Sequence, residues 1–210
     1  MAWQRGYVEV FPPVHVPGIR TAVSPDQEFM RRAPDRCESH ESLVPRGRQR
    51  VHVDLDGDDR EFWSAFEADG RWCTPLYYAD HLRQLPYRLA ATLEAIASAP
   101  AGGLLFHCGG GWDRTGLVAA VLSKAVGVTS DAAVADYMAS FTNHPRAAAL
   151  HGVDPREAEA RTRVLADFGL TPEAAFHGFY TQLDLGVWFE RSNLDQDVLE
   201  AVRTWRGQIS

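Results

Sequence analysis

Within ten positions, His107-Cys108-Gly109-Gly110-Gly111-Trp112-Asp113-Arg114-Thr115-Gly116 gathers a thiol, an arginine, a hydroxyl and three consecutive glycines. The glycines admit backbone conformations closed to other residues and turn several N–H groups inward. At the start of a helix, with the positive end of the macrodipole behind it, such a nest binds an anion. A thiol at its foot is stabilised as thiolate, because a free cysteine titrates near ~8.5 and helix N-termini with cationic neighbours lower that by units. This reads Cys108 as a nucleophile at neutral pH. Arg114 offers two parallel donors to two oxygens of a phosphoryl group, a match that an ammonium lacks. Phosphoryl transfer spreads charge over those oxygens, so the backbone of Gly109, Gly110, Gly111, Trp112 and Asp113, together with Arg114, would bind and stabilise them. Thr115 can donate its hydroxyl to the thiolate and ease its departure from a phosphocysteine.

The elements around the loop must hold this geometry. Leu104-Leu105-Phe106 reads as a short apolar strand buried on both faces, as central parallel strands are, and the apolar stretch Leu117 to Val126 as the helix that follows. Upstream, Ile19 to Val23 and Arg50 to Leu55 read as strands. Ser24-Pro25-Asp26-Gln27 reads as a helix start, and Leu85 to Ala99 as a helix. Further helices are predicted over Ser130 to Phe141, Pro155 to Phe168 with Asp154 as cap, and Leu194 to Arg206. The expected fold is therefore α/β: a central, mostly parallel sheet flanked by helices, with a helix-rich C-terminal third. One domain over 1–210 is expected, without repeats or linkers. The segment from about 145 to 180 is either a helical lid or insertion over the pocket, or a solvated helix with its Arg and Glu side chains outward.

Composition narrows the function classes. The chain has 210 residues, 45% of them apolar, and a net charge of −7, enough for a packed core. The acidic balance speaks against wrapping a nucleic acid or coating an anionic membrane. No stretch approaches the roughly 18 to 20 apolar residues of a membrane span, and the first five residues lack a signal-like apolar region, so a cytoplasmic location is expected. Lys124 is the single lysine among 21 basic residues. Cys37, Cys73 and Cys108 form no CxxC, which points to free thiols, with Cys37 and Cys73 either inert or, for one of them, a resolving partner of an oxidised Cys108. The histidines have no metal-ligand spacing, so neither a metal nor a cofactor is expected.

The segment from His107 to Gly116 resembles the HCxxGxxR[ST]G signature of the cysteine-dependent protein tyrosine phosphatases and matches it at every fixed position. It is most similar to the bacterial branch related to dual-specificity and phosphoinositide phosphatases, whose loop usually reads HCxAGKDRTG. Gly127-Val128, Asp136-Tyr137 and Thr142-Asn143 agree with that branch, and the resemblance is strong from about Tyr77 to Asn143. Ala22-Val23-Ser24 stands where the branch carries DLR. Gly110 replaces an alanine and Trp112 a lysine. The loss of that charge weakens a phosphoinositide reading, and the Trp112 indole would either cover an aromatic substrate ring or simply pack.

The resemblance also implies an acid that protonates the leaving oxygen, on a loop after an upstream strand. Asp56 fits best, with Asp54, Asp58 and Asp59 beside it; Asp113 is second, its alternative being to orient Arg114; Asp80 is third, its alternative being a helix cap. His107 would bond backbone and tune the thiolate, or serve as a core histidine. The implied activity is hydrolysis of phosphotyrosine, extending to phosphoserine and phosphothreonine, with a phosphorylated protein or small phosphoester as partner. The alternatives are a phosphoinositide phosphatase of the same mechanism, a phosphate-binding module without turnover, and a sulfur-transfer domain.

Overall fold

The computed structural model describes residues 8–10, 49–99, 104–108, 111–151, 154 and 156–204. Strand β1, Val8–Val10, pairs antiparallel with β2, Gln49–Val51, placing Val8 opposite Val51. A loop then leads to helix α1, Arg60–Ala68, a 3-10 turn at Pro75–Tyr77, α2 at Tyr78–Gln84 and α3 at Pro86–Ala97. After residues 104–112 come α4 at Asp113–Ala125, α5 at Ser130–His151, α6 at Glu157–Asp167, α7 at Pro172–Gln182, α8 at Leu185–Ser192 and α9 at Gln196–Thr204.

Local chemistry sets many of these boundaries. Pro86 opens α3 at a position where its missing N–H costs nothing, and Leu89, Leu93 and Ile96 then bury one face. Thr171 accepts from the Ala174 N–H and Pro172 begins α7. Asp184 accepts from the N–H groups of Gly186 and Val187 to open α8, which ends at Asn193 in the left-handed region, φ 56°. α5 runs ten residues past its expected end at Phe141, through Pro145. Both Phe141 and His144 pack on the Trp112 ring, so tertiary contact sustains a helix that the proline alone would end.

Among the described residues the expected central parallel sheet is not formed. Among the described residues the one ladder is the antiparallel pair β1–β2. Leu104–Phe106 is not a strand and stays half-buried, whereas a central parallel strand needs partners on both edges and cover on both faces. The strand expected over Arg50 to Leu55 ends at Val51, and Ile19 to Val23 lies outside the described residues, as does the helix start at Ser24. Helices and aromatic side chains supply the core instead. Leu89, Leu93, Ile96, Leu117 and Leu165 are fully enclosed, and Trp63, Tyr77, Tyr78 and Phe179 form a chain of edge-to-face contacts across it. Tyr137 stacks on Phe176 at 4.3 Å and joins α5 to α7. The single lysine also has a packing role: Lys124 Nζ donates to the Tyr180 carbonyl at 3.0 Å and lies over that ring, fixing α4 to α7.

Boundaries of the later helices shift by a few residues. The N-cap position of α6 is Arg156, without a side-chain cap bond, rather than Asp154, whose carboxylate accepts from the Arg156 N–H just ahead of the helix; Pro155 lies outside the described residues. Leu89→Ala should lower stability by about 2–5 kcal/mol in urea unfolding, against less than about 0.5 kcal/mol for the exposed Val187→Ala.

Candidate active site

Cys108 lies at the foot of α4, 5% exposed. Gly111 has φ 63°, open to glycine at little cost, and its N–H donates to the Cys108 carbonyl at 3.2 Å, closing the turn. Gly109 and Gly110 lie outside the described residues. α4 begins without a side-chain cap, so its first N–H groups are left for the sulfur. The Thr115 hydroxyl accepts from the Cys108 N–H at 2.9 Å and donates to the sulfur, which also accepts from the backbone N–H groups of Thr115 and Trp112. Burial alone would push the thiol up, but the Arg114 charge and these donors outweigh it and hold Cys108 below its ordinary value. His107 Nδ1 lies 3.1 Å from the Cys108 carbonyl, the backbone bond expected of it.

Arg114 joins the sulfur to a carboxylate. Its Nη1 donates to Asp56 Oδ2 at 2.8 Å, with both side chains largely enclosed. Burial raises the Asp56 carboxyl to about 6 from an ordinary 3.8; Arg114 and Arg88 pull it down, Asp113 and Asp54 push it up. Among the four acidic residues of this loop, Asp56 alone is buried. Asp54 accepts from the Gly57 N–H at 3.0 Å, Asp58 is exposed, and Asp59 faces Arg88 at 3.4 Å. Asp80 sits inside α2 and pairs with Arg83 on the surface, neither at the site nor at a cap.

Asp113 is brought to the same cluster but faces inward. Its Oδ2 accepts from the Tyr77 hydroxyl at 2.6 Å, and the Tyr78 hydroxyl donates to the Asp113 main-chain carbonyl at 2.6 Å with Oδ1 3.2 Å away. Burial pushes its carboxyl up, while the Arg161 and Arg114 charges and the two hydroxyls pull it down. Trp112 is 4% exposed, with the Arg161 guanidinium 4.1 Å above its ring. The indole is thus packed inside the protein rather than exposed at a rim. Arg161 also donates to the Cys73 carbonyl at 3.1 Å and to Glu157 Oε1 at 2.6 Å, so α6 turns this arginine inward rather than to solvent. Cys73 has φ 65°, and burial pushes its thiol up, which favours the protonated form. Cys37 lies outside the described residues.

Sequence reasoning brought out Cys108, Arg114, Thr115, Asp56 and Asp113 but missed Tyr77, Tyr78, Trp63, His81, Arg88 and Arg161. The only local signal was the aromatic density from Phe62 to Tyr78. Among the described residues no group of three or more His, Cys, Asp or Glu side chains gathers as metal ligands, and no helix is long and apolar enough to cross a membrane. The assembled chemistry is a lowered thiol, a guanidinium beside it and a carboxyl that exchanges its proton near pH 6. Thr115→Val removes a donor to the sulfur and should move the pH midpoint of iodoacetamide alkylation of Cys108 upward by about one to two pH units.

Comparison with known proteins places this cluster in a family. Residues 74 in number align at 40% identity with the triple specificity protein phosphatase PtpB of Mycobacterium tuberculosis, covering 33% of this chain. The aligned stretch spans 27% of that relative's length. The model of the tyrosine phosphatase family matches residues 25–203, and with most of its length so matched the chain belongs to the tyrosine phosphatase family.

Proposed function

We propose that the protein is a cysteine-dependent phosphatase that hydrolyses phosphotyrosine, with phosphoserine and phosphothreonine as further substrates, on a protein or a small phosphoester. The observation that carries this reading is the position of Arg114: it touches Asp56 and acts on the Cys108 sulfur, so nucleophile, clamp and acid form one contiguous group. The Cys108 thiolate attacks phosphorus in line, forming the S–P bond as the bond to the leaving oxygen breaks. Arg114 and the loop N–H groups hold the remaining phosphoryl oxygens, and Asp56 gives its proton to the leaving oxygen. Water then attacks phosphorus while the Asp56 carboxylate takes its proton; the S–P bond breaks, releasing phosphate and restoring thiolate and acid. Asp56 is preferred to Asp113 because the Asp113 carboxylate is turned inward, accepting from the Tyr77 hydroxyl and lying against that of Tyr78. The relative's name, a triple specificity protein phosphatase, supports a protein substrate.

In the same reading the segment from about 145 to 180 is a helical insertion within one domain. The support is Arg161 of α6, locked between Trp112, Cys73 and Glu157.

Cys108→Ser should abolish release of p-nitrophenol from its phosphate ester, and vanadate should inhibit the wild type. A folded wild type that binds vanadate without turnover would make the protein a phosphate-binding module. The acid must carry its proton, and a carboxyl raised to about 6 holds it below that pH and loses it above. The rate on phenyl phosphate should therefore fall as pH rises through about 6. Asp56→Asn should flatten that limb and lower the rate by about 10²–10⁴-fold, more for phenyl than for p-nitrophenyl phosphate. An unchanged rate would move the role to Asp113.

A further inference from the structure

Three successive backbone carbonyls ahead of and within the acid loop each accept from a side chain of a different helix. The Asp54 carbonyl accepts from Arg88 Nη1 of α3 at 3.3 Å, the Leu55 carbonyl from His81 of α2 at 2.9 Å, and the Asp56 carbonyl from Trp63 Nε1 of α1 at 2.8 Å. A carbonyl can only accept, so His81 carries its proton on Nε2; burial lowers its pKa to about 4, and it stays neutral. Trp63 and His81 are almost fully enclosed. The turn beyond is equally constrained. Gly57 has φ 64°, its N–H donates to Asp54 Oδ1 at 3.0 Å, and a Cβ there would stand 2.0 Å from Arg88 Nη2.

Buried carbonyls need donors in any fold, so the bonds alone could serve stability only. What gives them a further consequence is the partner of Asp56. In the free protein its carboxylate is held by Arg114. In the proposed reaction Arg114 turns its donors to the phosphoryl oxygens and Asp56 is neutral and protonated, so the ion pair no longer fixes the carboxyl. What then remains to place it is the backbone on either side of its Cα, and that backbone hangs on Trp63, His81 and Arg88.

We propose that Trp63, His81 and Arg88 are positioning residues that keep Asp56 aimed at the leaving oxygen once substrate has taken Arg114. This rests on Asp56 being the acid. Proton transfer needs the two oxygens within about 2.6–3.2 Å, and a displacement of about 1 Å costs on the order of a hundredfold in rate. The acid is thus set in place before substrate arrives, by three helices.

The test uses Trp63→Phe, which keeps a ring in the core and removes the N–H, with Asp56→Asn and the double variant beside it. The readouts are kcat and KM on p-nitrophenyl and phenyl phosphate, vanadate affinity and Tm. The expected result is a loss in kcat/KM on phenyl phosphate about tenfold or more beyond the loss on p-nitrophenyl phosphate, with vanadate affinity retained. The double variant should be no slower than Asp56→Asn, because the two changes act through one carboxyl. A folded Trp63→Phe that loses kcat/KM equally on both esters, or loses none, overturns the proposal. If Trp63→Phe does not fold, Arg88→Met, at a partly exposed side chain, takes the same measurement with the same expected and overturning results. Failure of the underlying reading looks different: Asp56→Asn itself then shows no dependence on the leaving group.

Discussion

An acidified thiol, two carboxyls and two guanidiniums share the interior of this protein, and such groups survive burial only where each charge has a partner. Arg114 is the hinge of that compensation. It faces Asp56 at 2.8 Å, lowers the Cys108 thiol, and adds to the positive field on Asp113. Arg161 balances the other side, between Glu157, the Cys73 carbonyl and the Trp112 ring. The shifts run in opposite directions because the environments differ. Cys108 has helix N–H groups and a hydroxyl on its sulfur, whereas Asp56 is dominated by its own burial.

Aromatic residues carry this cluster in two ways at once. Tyr77 and Tyr78 fill the core with their rings and satisfy Asp113 with their hydroxyls; Trp63 packs on Tyr77 and holds the Asp56 carbonyl. Gly116 is part of the same arrangement. A Cβ there would come within 3.0 Å of the Tyr78 hydroxyl and 3.1 Å of the Tyr137 ring, so the close approach of α4 to these tyrosines favours a residue without one. Core and site are therefore not separate layers: the groups that pack the interior also set the protonation and position of the reactive ones.

The overall acidity of the chain makes this local arrangement necessary. A protein of net charge −7 gains little long-range attraction for a phosphate, so in the proposed reaction attraction would come from oriented N–H groups and one guanidinium at contact distance. The expected α/β sheet failed for a related reason of context. Leu104–Phe106 has the composition of a buried strand, but strand formation needs hydrogen-bonding neighbours on either side, and among the described residues it has no ladder. Helices with strong local signals, such as Pro86–Ala97 with its 3.6-residue spacing, came out close to expectation, while α5 outran its signal because Phe141 and His144 found the Trp112 ring.

By itself the sequence determined how a thiol, a guanidinium and a hydroxyl are spaced, because Cys108, Arg114 and Thr115 lie within eight positions, on one glycine turn and the first turn of one helix, where spacing dictates geometry. It narrowed the acid to a short list and left Trp112 open. Only the tertiary structure singled out Asp56 as the carboxyl buried against Arg114, turned Asp113 toward two tyrosines, and put Trp112 beneath Arg161. Those pairings join residues from about 36 to 58 positions apart and depend on which helix faces come together. Local periodicity cannot encode that choice, since each partner is an ordinary surface or core residue until the other arrives.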